Sequence, residues 1–583
     1  MRKRRNAIAV IFLIVFIGIA ARLVYIQAIQ GPSLAEDARD NRLRTYVTAA
    51  PRGDIVDSDG NVMATSADRY HIAVNQQSIQ SFVLRDENGD VIDTGASAAA
   101  DLLAPILDQD PAELGARMVG DSTWVYLARS VDPTVWREIR SLGIFGIEPE
   151  RVSERLYPNG STAGNLIGYL STDGTPLAGL EYSFDEDLTG TNGYETVEIG
   201  AGGQVIPTGT RDALDAVPGA TVQMTINLDL QHVAQEAVDD VASRYGAEWA
   251  GVAVQDLQTG GLLVLAESGM VDPSDPTATP ESARNTARSV SSPYEPGSTG
   301  KLLTLAAAVN EGAVDEYTEF TVPDRATFHG QTFQDAVEHP EWRMTTTGIL
   351  AKSSNVGTVE IGERLSDDLR YEYMRNFGFG ESTDIGLMGE SSGILTEPDS
   401  WDGRSRMTTM FGQAYAVTLV QNVAMVAAIG NDGVYQSPYL IEQITHADGS
   451  VTVPERGESR EVITPEASEE MIRMMESVVL EGGTGINAAI DGYRVAGKTG
   501  TAQIAGSSQA LTEVVANFVG VVPADNPRFA LAVVVYKPST GFLGGAIAAP
   551  IFRDVASFAL QSYGVAPSTE PPPEVPLIIE ESE

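Results

Sequence analysis

The sequence predicts an α+β protein: one antiparallel sheet covered by helices in the C-terminal half, an elongated mixed α/β unit ahead of it, and one apolar helix at the N-terminus. Three observations carry this. Strand-like runs at 251–256, 262–266 and 528–536 stand near both ends of the second half, with helical sequence between them. Val217-Pro218-Gly219 interrupts the chain where the second large unit begins. Arg2-Lys3-Arg4-Arg5 precedes an apolar run from Ala7 to Ile29, broken by Arg22 and Gln27. At 583 residues the chain is too long for a single core, so two or three domains are expected.

The apolar run has the length of one membrane span, and Arg22 can snorkel to the interface. Four cations before it place the N-terminus in the cytoplasm and the rest of the chain outside. Gly18-Ile19-Ala20-Ala21 would also fit a signal-peptide cleavage site, but the run continues past Ala21, which favours an uncleaved anchor. Ala50-Pro51-Arg52-Gly53 leads into residues 54–61, where apolar residues alternate around an Asp-Gly turn and read as a strand pair. From about 69 to 150 the pattern mixes helix and strand, followed by Arg155-Leu156-Tyr157-Pro158 and Gly179-Leu180-Glu181-Tyr182. No catalytic constellation appears before residue 220. Arg52, Arg155 and Glu181 stand in strand-like or turn-like sequence, where an unpaired charge is costly, so they are expected to be paired. The expected divisions are 1–6 cytoplasmic, 7–29 anchor, 30–220 pedestal, 221–563 catalytic domain, and 564–583 a Pro- and Glu-rich disordered tail.

In the second unit, 221–226 reads as a strand, a helix runs from Asp229 to about Arg244, and Gln258-Thr259-Gly260 turns an antiparallel hairpin. Next comes Tyr294-Glu295-Pro296-Gly297-Ser298-Thr299-Gly300-Lys301, running into Leu302-Leu303-Thr304-Leu305-Ala306-Ala307-Ala308. A helix is expected from Ser298 to near Gly312, apolar on nearly every side and therefore buried. Ser298 would sit at its positive end, with the Lys301 amine on the same face, a way to make a serine nucleophilic without histidine. Taken alone, an N-cap serine beside a surface lysine is the plainer reading of this pair. Lysine usage shifts the balance. Lys3, Lys301, Lys352, Lys498 and Lys537 are the only lysines among 38 basic residues, and a chain that otherwise uses arginine should keep lysine where an amine must lose its proton or act as a compact charge.

Two further motifs follow. Lys352-Ser353-Ser354-Asn355-Val356-Gly357 offers a hydroxyl and an amide two residues apart, and reads equally as a capped helix start. Val495-Ala496-Gly497-Lys498-Thr499-Gly500-Thr501 reads as a strand whose glycines let a ligand backbone approach. Residues 492–499 also satisfy the phosphate-binding pattern GxxxxGK[ST], but that pattern needs a helix directly after Lys-Thr. Here Gly500 and the turn-like Ala505-Gly506-Ser507-Ser508 oppose one.

Composition excludes other chemistries. A net charge of −42 argues against nucleic acid as a partner. The chain has no cysteine, hence no disulfide or thiolate metal site. His71, His232, His329, His339 and His446 are scattered, so neither a zinc hydrolase nor a histidine triad is expected, and no metal or cofactor is called for.

Ser298-x-x-Lys301, Ser353-x-Asn355 and Lys498-Thr499-Gly500, in that order, form the triplet of penicillin-binding proteins and class A β-lactamases. With Pro51-Arg52-Gly53, Arg155-x-Tyr157-Pro158, Gly179-Leu180-Glu181, Tyr294 to Ser298 and Gly497 to Thr501, residues 1–560 resemble the class B penicillin-binding proteins. Thr345-Thr346-Thr347-Gly348 through Asn355, and Phe411-Gly412-Gln413, are similar to the division-septum branch of high-GC Gram-positive bacteria. Ala414, where the family usually has a second glycine, and Asn227, where Asp is common, depart from the pattern.

The resemblance implies the penicillin-binding, serine-transpeptidase fold on a non-catalytic pedestal. It also implies a substrate: peptidoglycan stem peptides ending in D-Ala-D-Ala, with the amine of a neighbouring stem as acceptor. β-Lactams would be covalent ligands, and a membrane glycosyltransferase and other division proteins would be partners. In the implied roles Ser298 is acylated, Lys301 takes its proton, Ser353 relays a proton to the leaving amine, and Asn355 orients Lys301 and the substrate amide. Lys498, Thr499 and Thr501 would hold the terminal carboxylate beside Gly500, and the N–H groups of Ser298 and Thr501 would form the oxyanion hole. A non-catalytic β-lactam sensor, a carboxypeptidase or β-lactamase with water as acceptor, and a role in elongation rather than at the septum are the other readings of the same motifs.

Overall fold

The computed structural model describes residues 2–40, 42–200, 205–457, 459–505 and 511–579. The chain forms two compact units. The first comprises Met1–Arg52, Ser66–Glu154 and Thr189–Gly219, and the second Gly53–Thr65, Arg155–Leu188 and Ala220–Glu583.

The first unit begins with helix from Arg2 to Asp40, wound as a π-helix over Tyr25–Gln30, and long and apolar enough to cross a membrane. It outruns the expected 7–29 at both ends, and the Arg22 guanidinium lies over the Tyr25 ring at 5.5 Å. After it, Leu43–Thr48, Gly193–Glu198 and Arg211–Leu214 make a three-stranded antiparallel sheet. A separate core gathers Ile72, Val74, Leu103, Leu114, Leu127 and Ile139, the mixed helix and strand expected over 69–150.

The second unit does not begin at residue 221. Gly53–Thr65 and Arg155–Leu188 belong to it, and Ile55, Met63, Leu166, Ile167, Leu180 and Leu188 join the core cluster that holds the catalytic motifs. This division cuts across the expected 30–220 block, because two of its segments bury apolar side chains in the core cluster of the second unit. The expected strand pair is present, Ile55–Val56 against Val62–Val74, closed by the fully buried Asp57, whose carboxylate accepts from Asp59 N, Asn61 N and Leu228 N. Asn227 caps the next helix, Leu228–Tyr245, as the usual Asp would.

Arg155 and Glu181 pair as expected, Nε to Oε1 at 2.7 Å, with side chains 6% and 0% exposed. Arg155 also donates to the Gly53 carbonyl at 2.7 Å, and Tyr157 to Glu181 at 3.3 Å. The pair lies inside the catalytic unit, so its first role is to hold that unit together. Arg155→Ala would strand a buried carboxylate at a cost of about 3–5 kcal/mol. The expected result is a melting temperature lower by roughly 10 °C, measured by thermal unfolding of the purified protein, with loss of abundance in cells. An unchanged melting temperature would refute this structural role.

The centre of the second unit is a five-stranded antiparallel sheet, in the order β2-β1-β7-β6-β5. Its strands are β1 (Trp249–Asp256), β2 (Leu262–Glu267), β5 (Ala496–Ala505), β6 (Leu511–Val522) and β7 (Phe529–Tyr536). Between β2 and β5 come α1 (Lys301–Asn310), the hairpin β3 (Arg325–Phe328) and β4 (Gln331–Gln334), α2 (Thr346–Lys352), α3 (Asn355–Gly362), α4 (Leu419–Gly430) and α5 (Pro465–Val479). α6 (Ala549–Ser562) follows β7. The sheet is a middle layer, so its strands are apolar on both faces. Phe529, Leu531, Val533 and Val535 of β7 pack in the cluster with Leu228–Tyr245 and α6, whereas Ala530, Ala532 and Val534 join the cluster with α1 and α4. The α+β expectation of an antiparallel sheet covered by helices holds, with helices on both faces.

The tail departs from expectation. Residues 564–579 are ordered: Tyr493 donates to the Val565 carbonyl, Ser568 N to Gly492 O at 2.9 Å, and Ile579 N to Arg343 O at 2.8 Å. Thr345, the cap of α2, donates to Pro576 O at 2.6 Å, and Val575 is buried. The segment's average composition masked a short apolar stretch, Val575-Pro576-Leu577-Ile578-Ile579, with its own docking site. Gly348 permits it, because a Cβ there would lie 1.9 Å from the Leu577 carbonyl oxygen. Residues 580–583 of that expected tail, and Gly506-Ser507-Ser508 of the expected turn, lie outside the described residues.

Candidate active site

The turn that carries Ser298 is built by glycine. Gly297 takes φ 55° and donates its N–H to Gly412 O at 2.8 Å, after which Gly297–Gly300 winds as a 3₁₀ turn and α1 starts at Lys301. The expected helix start at Ser298 is thus a tighter turn. At three residues per turn, positions i and i+3 eclipse, which stacks Lys301 on the side of the turn that carries Ser298. Ser298 is half-buried, and Lys301 is fully buried at the head of a helix whose Leu302 to Val309 are all buried.

The second motif joins two helices with no loop to spare. Thr345 caps α2, Ser354 caps α3, and Ser353 between them adopts the left-handed conformation at φ 60°. That position usually favours glycine; a serine there aims both its carbonyl and its hydroxyl at Lys301. The Lys301 amine donates to Ser353 O at 2.6 Å and to Ser353 Oγ at 3.2 Å. Asn355 does not hold Lys301: its Nδ2 donates to Gln334 O at 3.0 Å, on the hairpin.

The third motif lies on β5, the edge strand beside the Ser298 turn. Lys498 is fully buried, and its amine reaches Ser353 Oγ at 2.9 Å and Thr499 O at 2.9 Å. Thr499 Oγ1 meets Thr484 Oγ1 at 2.7 Å, and Thr501, exposed, accepts from Gly544 N at 3.3 Å. A Cβ on Gly297 would stand 3.1 Å from Ala502 N, so the edge of β5 runs directly past the nucleophile's turn. Gly500 is dictated by a neighbour: a Cβ there would lie 1.7 Å from Asn517 Oδ1. Asn517, fully buried on β6, passes beneath Gly500 and donates to Pro296 O at 3.0 Å, tying the strand to the turn that carries Ser298. The one local signal for Asn517 is a polar residue inside the otherwise apolar run from Val514 to Val522.

Two buried amines therefore converge on one hydroxyl. Burial lowers Lys301 from its ordinary 10.5 to about 7, against the opposing charge of Asp335. Burial first, and then the Lys301 charge, hold Lys498 well below its ordinary value. The two amines do not both carry a proton comfortably near neutral pH, and Ser353 Oγ can accept from one while donating to the other.

The penicillin-binding protein transpeptidase domain matches residues 250–557, and the penicillin-binding protein dimerisation domain matches residues 47–224. The chain belongs to the class B penicillin-binding proteins. Penicillin-binding protein PbpB of Mycolicibacterium smegmatis is 35% identical over 99% of this chain and 92% of its own length. The peptidoglycan D,D-transpeptidase FtsI of Escherichia coli K12 is 32% identical over 94% of this chain and 89% of its own. Among solved structures, a peptidoglycan synthetase from Bifidobacterium adolescentis aligns with a TM-score of 0.72 at 36% identity, covering 92% of this chain and all of the other. Penicillin binding protein 3 from Mycobacterium tuberculosis, complexed with aztreonam, aligns at 0.71 and 28% identity with the same coverage. In this penicillin-binding protein the backbone accommodates the departure at residue 414. Ala414 adopts φ 64°, the conformation a glycine would take more easily, and donates its N–H to Glu295 Oε1 at 2.9 Å.

Proposed function

We propose that this class B penicillin-binding protein is a peptidoglycan D,D-transpeptidase that cross-links stem peptides through an acyl-enzyme on Ser298, in septal wall synthesis. The observation that carries the chemistry is the convergence of the Lys301 and Lys498 amines on Ser353 Oγ, at 3.2 and 2.9 Å, beside the Ser298 turn. The septal assignment is supported by full-length likeness to the proteins named FtsI and PbpB.

In this reading the terminal carboxylate of the donor stem binds at Lys498, Thr499 and Thr501, which favours the protonated form of Lys498 and leaves Lys301 neutral. Ser298 Oγ attacks the penultimate D-Ala carbonyl carbon as its proton passes to Lys301. The oxyanion is met by the N–H groups of Ser298 and Thr501. The C–N bond then breaks, the departing D-Ala amine takes a proton relayed through Ser353, and the ester stays on Ser298. The amine of a second stem attacks that ester, its proton returns through Lys301, and Ser298 leaves as the hydroxyl. Asn355 contributes by positioning: its side chain fixes the β3–β4 hairpin at the mouth of the site. The N-terminal helix anchors the protein with its basic end in the cytoplasm and the catalytic unit outside, where a membrane glycosyltransferase and other division proteins are its partners.

The test is covalent labelling of the full chain in detergent by a fluorescent penicillin, with D-Ala release from a stem-peptide analogue measured with and without an added amine. Labelling with amine-dependent product supports transpeptidation; hydrolysis alone would give water as the acceptor, and rapid loss of label would give a β-lactamase. Lys301 accepts a proton only when neutral. The acylation rate should therefore fall as pH drops through about 7 and level off above it. A rate flat from pH 5 to 9, on the order of the range such profiles cover, would remove Lys301 as the base.

A further inference from the structure

Asp335 and His339 lie just after β4 and belong to none of the three motifs. Their side chains are 7% and 3% exposed. Asp335 Oδ1 accepts from Asn355 N at 2.6 Å and Val356 N at 2.9 Å, the first two residues of α3, and Oδ2 stands 3.0 Å from His339 Nε2. His339 Nδ1 lies 2.6 Å from the Pro340 carbonyl oxygen, and the ring stacks on Trp342 at 3.8 Å. The two ring nitrogens thus face two acceptors, the Pro340 carbonyl and the Asp335 carboxylate, which hold the ring in place.

The same hairpin is fixed from its other side. Phe333 of β4 packs edge-on against Phe411 at 5.9 Å, within a cluster that includes Val359, Met407 and Met410. Phe411 precedes Gly412, whose carbonyl holds the Gly297 N–H. One short hairpin thus braces both the turn that carries Ser298 and the turn that carries Ser353. Asp335 is also the carboxylate whose charge reaches Lys301. Among the described residues, Glu360 of α3 also lies within reach of the Asp335 charge, and Lys498 of β5 within reach of the Lys301 charge.

We propose that Asp335, held by His339, is a positioning residue for acylation: it pins the first turn of α3, and with it Ser353, against the two amines. The proposal rests on the acylation reading above. Wild-type acylation and its loss in Ser298→Ala are the controls, and their failure would count against that reading alone.

The experiment measures the acylation rate of the full-length protein in detergent as a function of pH, for the wild type, Asp335→Asn and Asp335→Ala. Asparagine keeps an acceptor for both N–H groups and removes the charge. Its plateau should stay within about threefold of wild type while the acid limb moves to lower pH by roughly half a unit or more, because Lys301 loses the charge that favours its protonated form. Alanine loses the acceptor as well, and its plateau should fall about tenfold or more. A purely structural role would lower rates without moving the limb. An Asp335→Asn limb that superimposes on wild type overturns the proposal, as does an undiminished Asp335→Ala plateau. Should Asp335→Ala fail to fold, the isosteric Asp335→Asn limb decides alone.

Discussion

Replacing Ser298 by alanine is expected to abolish labelling by fluorescent penicillin, with the acylation rate falling by about 10⁴ or more. The turn that carries Ser298 is held by other groups. Gly297 N bonds Gly412 O, Thr299 Oγ1 donates to Pro296 O at 3.0 Å, and Asn517 donates to the same carbonyl at 3.0 Å. Losing one half-buried hydroxyl should therefore leave the melting temperature almost unchanged, since the stability cost is within about 0.5 kcal/mol. Undiminished labelling of this variant would end the assignment of Ser298 as nucleophile, and a large fall in melting temperature would mean that the hydroxyl holds the turn itself.

Lys301→Arg should be as inactive as Lys301→Ala. A guanidinium cannot release its proton, so it cannot take the one from Ser298. The amine is also fully buried, bonded to Ser353 O at 2.6 Å, and a larger permanent cation there would face the Lys498 amine across Ser353 Oγ. A lost or misfitted buried charge costs about 3–5 kcal/mol, so the arginine variant should also melt lower than the alanine one. At Lys498 the charge itself is wanted, and Lys498→Arg should retain more acylation than Lys498→Ala. The comparison is made by stopped-time labelling of all four variants alongside melting curves. Near-normal acylation of Lys301→Arg would make Lys301 an electrostatic residue and place the base elsewhere.

The Ser298 turn, the two buried amines and the strand that carries Lys498 were legible because each motif is local. Ser298 and Lys301 are three residues apart, and β5 announces itself by glycines in a strand pattern. Asn517 and Asp335 were not legible, because their roles exist only once β6 lies under Gly500 and the hairpin lies over α3. The role expected of Asn355 was assigned from its motif alone, and the direction of its side chain is set by Gln334, which no local pattern links to it. Arg155 and Glu181 were expected to pair, and do, but their membership of the catalytic unit depends on packing across the chain that alternation and turn signals do not encode.

The order of strands in the central sheet bears on how a molecule of this protein comes into being. β1 pairs along its whole length with β7, Trp249 opposite Tyr536 through Asp256 opposite Phe529. The first hairpin made thus gains its inner neighbour only after the intervening motifs have been synthesised, and so long a loop closure makes for slow folding. In the orientation proposed here, that stretch crosses the membrane with its apolar strands unpaired and exposed to aggregation or proteolysis until β7 arrives. The Lys498 amine meets Ser353 only when β5 is in place, so a nascent chain halted before residue 496 should be invisible to penicillin however long it waits. The antibiotic then reports not the amount of exported polypeptide but the fraction that has finished folding.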